Sequence, residues 1–192
     1  MKTTHLIITA FIATILAASP TAALAGKGKS NAGKRPSTAT VVLAPLSDPE
    51  IATLKWMREE EKLARDIYVA FSAKYPQNIF KNIAASEQKH FDAIGEKLVL
   101  YGITDPALDA PGFFSVPELQ QMYDALLAKG WISYADALEV GVAIEEEDIV
   151  DLEAALAGTT SRPLTKTYQQ LLNGSENHLR SFEKLLSRLK VD

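Results

Sequence analysis

The chain of 192 residues has no cysteine. Disulfides, iron–sulfur clusters, rubredoxin-type sites and thiol redox chemistry are thereby excluded, and the fold must rest on its apolar core. A basic surplus is missing too: 20 Lys and Arg stand against 24 Asp and Glu, for a net charge of −4. That balance argues against a nucleic-acid footprint. There is no long hydrophobic run either. The most apolar stretch, Leu6 to Ala18, is too short to span a bilayer comfortably. What remains is 47% hydrophobic, which suits one compact domain.

Lys2, the apolar run and Ala23-Leu24-Ala25 read as a secretory signal cleaved before Gly26. The expectation is a signal peptide over residues 1–25 and a periplasmic or secreted protein with no transmembrane span in the mature chain; an uncleaved anchor is the alternative. Residues 26–46 contain Lys27, Lys29, Lys34 and Arg35, no acid and no helical period. They read as a flexible basic linker, solvated or able to touch anionic surfaces.

The domain expected over residues 47–192 is all-α. Asp48-Pro49 opens a helix to about Tyr75, and Pro76 separates it from a second that runs to about Tyr101, with Gly102 as the stop. Ser115-x-x-Glu118 has the form of a capping box for a short helix ending at Gly130. Ser133 can cap a helix to Gly158, and Ser161 with Pro163 opens the last one. The pattern predicts four long helices, with a crossover of about thirty residues that carries the short helix.

On each long helix the inward positions follow steps of three and four residues. The first stripe is Leu54, Met57, Glu61, Ala64, Tyr68 and Phe71; the second is Phe80, Ile83, Glu87, His90 and Ile94. The third is Leu138, Val142, Glu145, Ile149, Leu152 and Leu156; the fourth is Tyr168, Leu171, Ser175, His178, Phe182, Leu185 and Leu189. Each is interrupted near its middle by polar groups. A carboxylate in a helical core is costly unless paired or bound to metal. Glu87-x-x-His90 puts both side chains on one helix face, so that Glu can bridge and His can cap an ion. Taken singly, each feature has an ordinary explanation. Exposed helices are rich in Glu, "REEEKLARD" and "IEEEDIVD" would be solvated faces, and Tyr68 and Phe182 would be packing residues. Their coincidence at one height points to one shared metal site.

These residues resemble the ferritin-like di-iron carboxylate proteins, rubrerythrin in particular. Glu61 with Arg65 and Tyr68 is similar to the first-helix ligand with its arginine and tyrosine, and "ASEQKH" to the E-x-x-H. Glu145 with Asp148 is similar to the third-helix pair of acids, and His178 with Phe182 to the fourth-helix histidine and aromatic. "REEEKLARDIY", "EQKHFDAI", "GVAIEEEDIVDLE" and "NHLRSF" resemble still more closely an uncharacterised ferritin-like family of the DUF2202 type, over roughly residues 48–190.

The resemblance implies a ferritin-like four-helix bundle holding two iron ions, with Mn or Zn as alternatives. Glu61, Glu87, His90, Glu145 and His178 would be ligands, with Asp148 a further candidate and Tyr68 a hydrogen-bond donor behind them. It implies an oxidase or peroxidase chemistry with an external reductant, and leaves room for a homodimer. A protein that sequesters or senses metal, and a metal-free module whose polar layer sets helix register, are the rival readings. Ser175 departs from the pattern: rubrerythrin has Glu three residues before this histidine, whereas here Glu176 is turned about 100° away. One ion, the one nearer His178, is therefore expected to be held less tightly.

Overall fold

The computed structural model describes residues 43–189. The expected signal over 1–25 and nearly all of the linker over 26–46 lie outside these residues. Five helices account for the described chain, with no strand among these residues: α1 (Asp48–Lys74), α2 (Asn78–Leu100), α3 (Pro117–Gly130), α4 (Tyr134–Gly158) and α5 (Arg162–Leu189). None of the described helices is long and apolar enough to cross a membrane.

Local chemistry explains most boundaries. The α1 cap is Ser47, one residue before the expected Asp48, which with Pro49 forms the first turn. There a missing N–H costs nothing, because the first amides of a helix have no partner within it. Glu50 accepts from Ser47 N at 2.9 Å and from Thr159 Oγ1 at 2.6 Å, tying the start of α1 to the end of α4. Tyr75, ahead of Pro76, is extended and ends α1. Gly102 takes φ +64° beyond α2, and the Ile103 amide reaches back to Leu98 O at 2.9 Å, closing the helix as a left-handed glycine stop does. Ser133 Oγ accepts from the Asp136 amide at 3.1 Å, as expected of a cap.

The box at Ser115 and Glu118 does not form. Helix α3 starts at Pro117, and a carboxylate from α1 takes over the capping: Glu59 accepts from Ser115 N at 3.0 Å and Val116 N at 3.1 Å. The rest of the crossover is fastened to the same face of α1. Arg58 forks onto Asp105, with Nε and Nη2 at 3.0 Å and 2.7 Å from Oδ2. Lys62 Nζ donates to Asp66 Oδ2 at 2.6 Å and Ala110 O at 2.9 Å, and Gly112 N donates to Asp66 at 2.9 Å.

Helix α1 packs on α2, α3 and α4, and α5 packs on α4 and α2. The four long helices thus share one interior, which holds two separate apolar clusters. One contains Tyr68, Phe71, Phe80, Ile83, Leu138, Ile144 and Phe182; the other contains Leu54, Met57, Ile94, Leu98, Leu152, Tyr168 and Leu171. Along every long helix the chain passes from one cluster to the other through polar residues. On α4 the buried face differs from the expected stripe. Ile144, Glu145 and Asp148 are buried, whereas Val142, Ile149 and Leu156 are half-buried; at the end of α5, Leu189 is exposed.

Candidate metal centre

Between the clusters, α1 contributes Glu61 and Tyr68, α2 Glu87 and His90, α4 Glu145 and Asp148, and α5 Ser175 and His178, all buried. Two groups of side chains offer atoms close enough to share an ion: Glu61, Glu87 and His90, and Glu87, Glu145 and His178, each set lying within 4.8 Å. Glu87 belongs to both. His90 Nδ1 stands 2.8 Å from Glu87 Oε2 and 3.4 Å from Glu61 Oε2. His178 Nδ1 stands 2.7 Å from Glu87 Oε1 and 3.5 Å from Glu145 Oε2. The two rings are inclined to each other by 27°, with centroids 5.6 Å apart.

These are contacts without hydrogen-bond alignment. Glu61 Oε1, Glu87 Oε1, both Nδ1 atoms and Asp148 Oδ1 are buried and have no hydrogen-bond partner. A buried polar atom left unpaired costs about 1–3 kcal/mol, and a buried ion several kcal/mol. The net stability of a whole domain is only about 5–15 kcal/mol. Lone-pair atoms converging around Glu87 from four helices are a candidate donor set for a cation, and oxygen with imidazole nitrogen is a set that could hold Fe, Mn or Zn. Four carboxylates, Glu61, Glu87, Glu145 and Asp148, would balance two divalent ions.

Where no cation intervenes, protons carry the compensation. Burial raises Glu61 well above the usual carboxylate range, and Asp148 adds to this. Burial and the charge of Glu87 push Glu145 up to about 8. Burial would raise Glu87 too, but the adjacent His178 and His90 outweigh it and hold that carboxyl at about 2. Burial opposes charging of the rings, yet Glu61 and Glu87 raise His90 to about 11, and Glu145 and Glu87 raise His178 to about 9.

The supporting groups are specific. Tyr68 OH donates to Glu145 Oε1 at 2.7 Å. Arg65, which the resemblance pairs with Glu61, points away, donating to Asp66 Oδ1 at 2.8 Å and Gln88 Oε1 at 3.1 Å. On α5 a Cβ at Gly174 would meet His90 Nε2 at 2.5 Å, so only glycine lets that ring lie against the helix. Asp148 is outside both ligand groups but close enough to Glu61 to raise it, and its own carboxyl is pushed up to about 7, chiefly by burial. Ser175 Oγ donates to Asp148 Oδ2 at 2.5 Å. Glu60, absent from the expected stripe, has a buried unpartnered Oε2, and burial with the charge of Asp151 raises it well above the carboxylate range.

Residues 50–189 match the model of an uncharacterized protein domain, DUF2202. The chain belongs to the DUF2202 family. Over 144 residues it is 45% identical to the uncharacterized protein MJ0754 of Methanocaldococcus jannaschii, covering 74% of this chain and 78% of that protein. The crystal structure of hypothetical protein MJ0754 from Methanococcus jannaschii matches with a TM-score of 0.76 at 42% identity, covering 79% of this chain and 87% of the other. The DUF305 fragment from Deinococcus radiodurans matches with a TM-score of 0.59 at 15% identity, covering 76% of this chain and 99% of the fragment, a likeness of fold alone. Within this DUF2202 chain the buried Glu and His groups form a candidate centre.

Proposed function

We propose that this DUF2202 protein is an exported ferritin-like four-helix bundle that holds two divalent ions, iron foremost, and that the loaded centre reacts with O2 or peroxide. The observation that carries this reading is the pair of Glu and His groups sharing Glu87, with their buried oxygen and Nδ1 atoms left without hydrogen-bond partners. Glu87 would bridge the ions, Glu61 and Glu145 would each ligate one, and His90 and His178 would cap them. The metals would supply the redox and Lewis-acid chemistry.

The chain's own contribution is positional. Tyr68 holds Glu145 in one orientation, Gly174 admits the His90 ring, and the flanking apolar clusters limit water. A non-catalytic role in metal sequestration or sensing is the second reading, since the buried Glu and His groups are all that it requires. A catalytic role needs an external reductant. Elemental analysis of protein purified without a His-tag tests the metal. Reductant-dependent consumption of O2 or peroxide then separates catalysis from sequestration, and a loaded protein that consumes neither would leave the binding role.

A further inference from the structure

The sequence marks Ser175 as a gap, a serine where a carboxylate is expected. In the structure it is fully buried and its hydroxyl is engaged twice, donating toward Asp148 Oδ2 at 2.5 Å and lying 3.1 Å from Leu171 O. The residue before it, Gly174, is the one against which His90 packs. Two consecutive positions of α5 thus act on Asp148 and on His90, and the charge that Glu61 feels most is that of Asp148. Asp148 is held by one oxygen, and its other oxygen, Oδ1, is buried with no partner. The opposite half, with Glu145 and His178, has the Tyr68 hydroxyl behind Glu145.

We infer that Ser175 is a positioning residue: it holds Asp148 as an added negative charge beside the Glu61–His90 half, and so makes the two ion positions unequal. The inference rests on the metal-binding reading above. Counting Asp148, an ion held by Glu61, Glu87 and His90 would have three carboxylates near it, whereas one held by Glu87, Glu145 and His178 would have two. In a low-dielectric interior an extra carboxylate near a dication is a large favourable contribution. The hydroxyl matters because it fixes which way that carboxylate faces. Without it, Asp148 can rotate away to a shorter path to solvent.

The test is titration of Mn(II) alone into the metal-free full chain, followed by calorimetry and by the EPR signal of the bound ion. The wild type should bind one Mn(II) tightly and one loosely, and His90→Ala should remove the tight step. Ser175→Ala should weaken the tight step about 10–100-fold, as loss of a ligand-orienting partner does, and leave the loose step within about twofold. Ser175→Thr, which keeps the hydroxyl, should restore it. Asp148→Asn should weaken the same step, a measurement that also stands if Ser175→Ala folds poorly, and the double variant should lose little more than Asp148→Asn alone. Two equal steps in the wild type, or Ser175 and Asp148 variants that change neither step or both alike, would overturn the role of Ser175 and leave the metal site standing. No Mn(II) binding by the folded wild type would overturn the metal site itself and the inference with it.

Discussion

Gly174 on α5 lies against the ring of His90 on α2, so closely that a methyl group there would stand 2.5 Å from Nε2. The contact sets how far the imidazole can extend across the interior, and hence where its Nδ1 meets Glu87. Gly174→Ala should therefore act on metal more than on the helix it sits in. Alanine gains about 1 kcal/mol of helix propensity, against about 1–3 kcal/mol for overpacking. The expected result is an unchanged helical circular dichroism spectrum, a melting temperature lowered by no more than a few degrees, and metal content falling from two ions per chain to one. Full metal content in Gly174→Ala would show that the ring has room to move.

The metal-free protein should lose stability as pH rises from about 5 to 9. Glu145 at about 8 and Asp148 at about 7 hold protons in the folded state that the unfolded chain, with its ordinary carboxyls, has released. The histidines act in the same direction: with His178 at about 9 and His90 at about 11, their stabilising contribution is complete below the unfolded value of 6.5 and fades as pH climbs through the folded ones. Glu87, held at about 2, contributes above pH 4.5 and loses its effect only in strong acid. Bound cations displace these protons, so the thermal shift on adding metal should grow with pH. Melting curves with and without metal at several pH values check both signs; a metal-free protein that becomes more stable between pH 5 and 9 would contradict this account.

Glu59 is fully buried and accepts from the amides of Ser115 and Val116. Glu59→Ala leaves both amides to find other partners and unfastens the start of α3 from α1. The expected cost is about 1–3 kcal/mol or more, with the metal bound per chain unchanged, because no ligand lies on the crossover. Denaturant melts combined with metal analysis distinguish this from damage to the centre, which would appear as metal loss.

The mature chain should begin near Gly26, on the strength of the apolar run and Ala23-Leu24-Ala25. Intact mass of the exported protein should show the loss of residues 1–25. A retained Met1 in the native host would rule out cleavage.

Much of the centre was legible because its residues interrupt otherwise regular apolar stripes. Glu61, Glu87, His90, Glu145 and His178 all sit where Leu or Ile would continue the core, and all are buried. Asp148 was harder to place. Positions 148 and 149 are both one turn from Glu145, and periodicity favours the isoleucine; the observed packing buries the aspartate and leaves Ile149 half-buried. Arg58, Glu59, Lys62 and Asp66 were not legible as buried residues at all. All four have partners 46 to 57 residues away, on the crossover, and such pairing leaves no local pattern. Lys62 pairs with Asp66 within one turn, yet it too is buried by the crossover through its contact with Ala110 O. Ser115 and Glu118 show the converse: a local capping pattern is present, but a carboxylate from α1 takes the Ser115 amide that Glu118 would have bound, together with that of Val116.

The central claim is that Glu87 joins two cation positions, one with Glu61 and His90 and one with Glu145 and His178. The measurement that tests it most directly is metal content per chain, by elemental analysis of tag-free protein, for the wild type and for His90→Ala, His178→Ala and Glu87→Gln. The account predicts two ions in the wild type, one in each histidine variant and a loss affecting both positions in Glu87→Gln, with the helical fold retained throughout. A folded wild type that binds no metal, or a Glu87→Gln variant that keeps both ions, would contradict it.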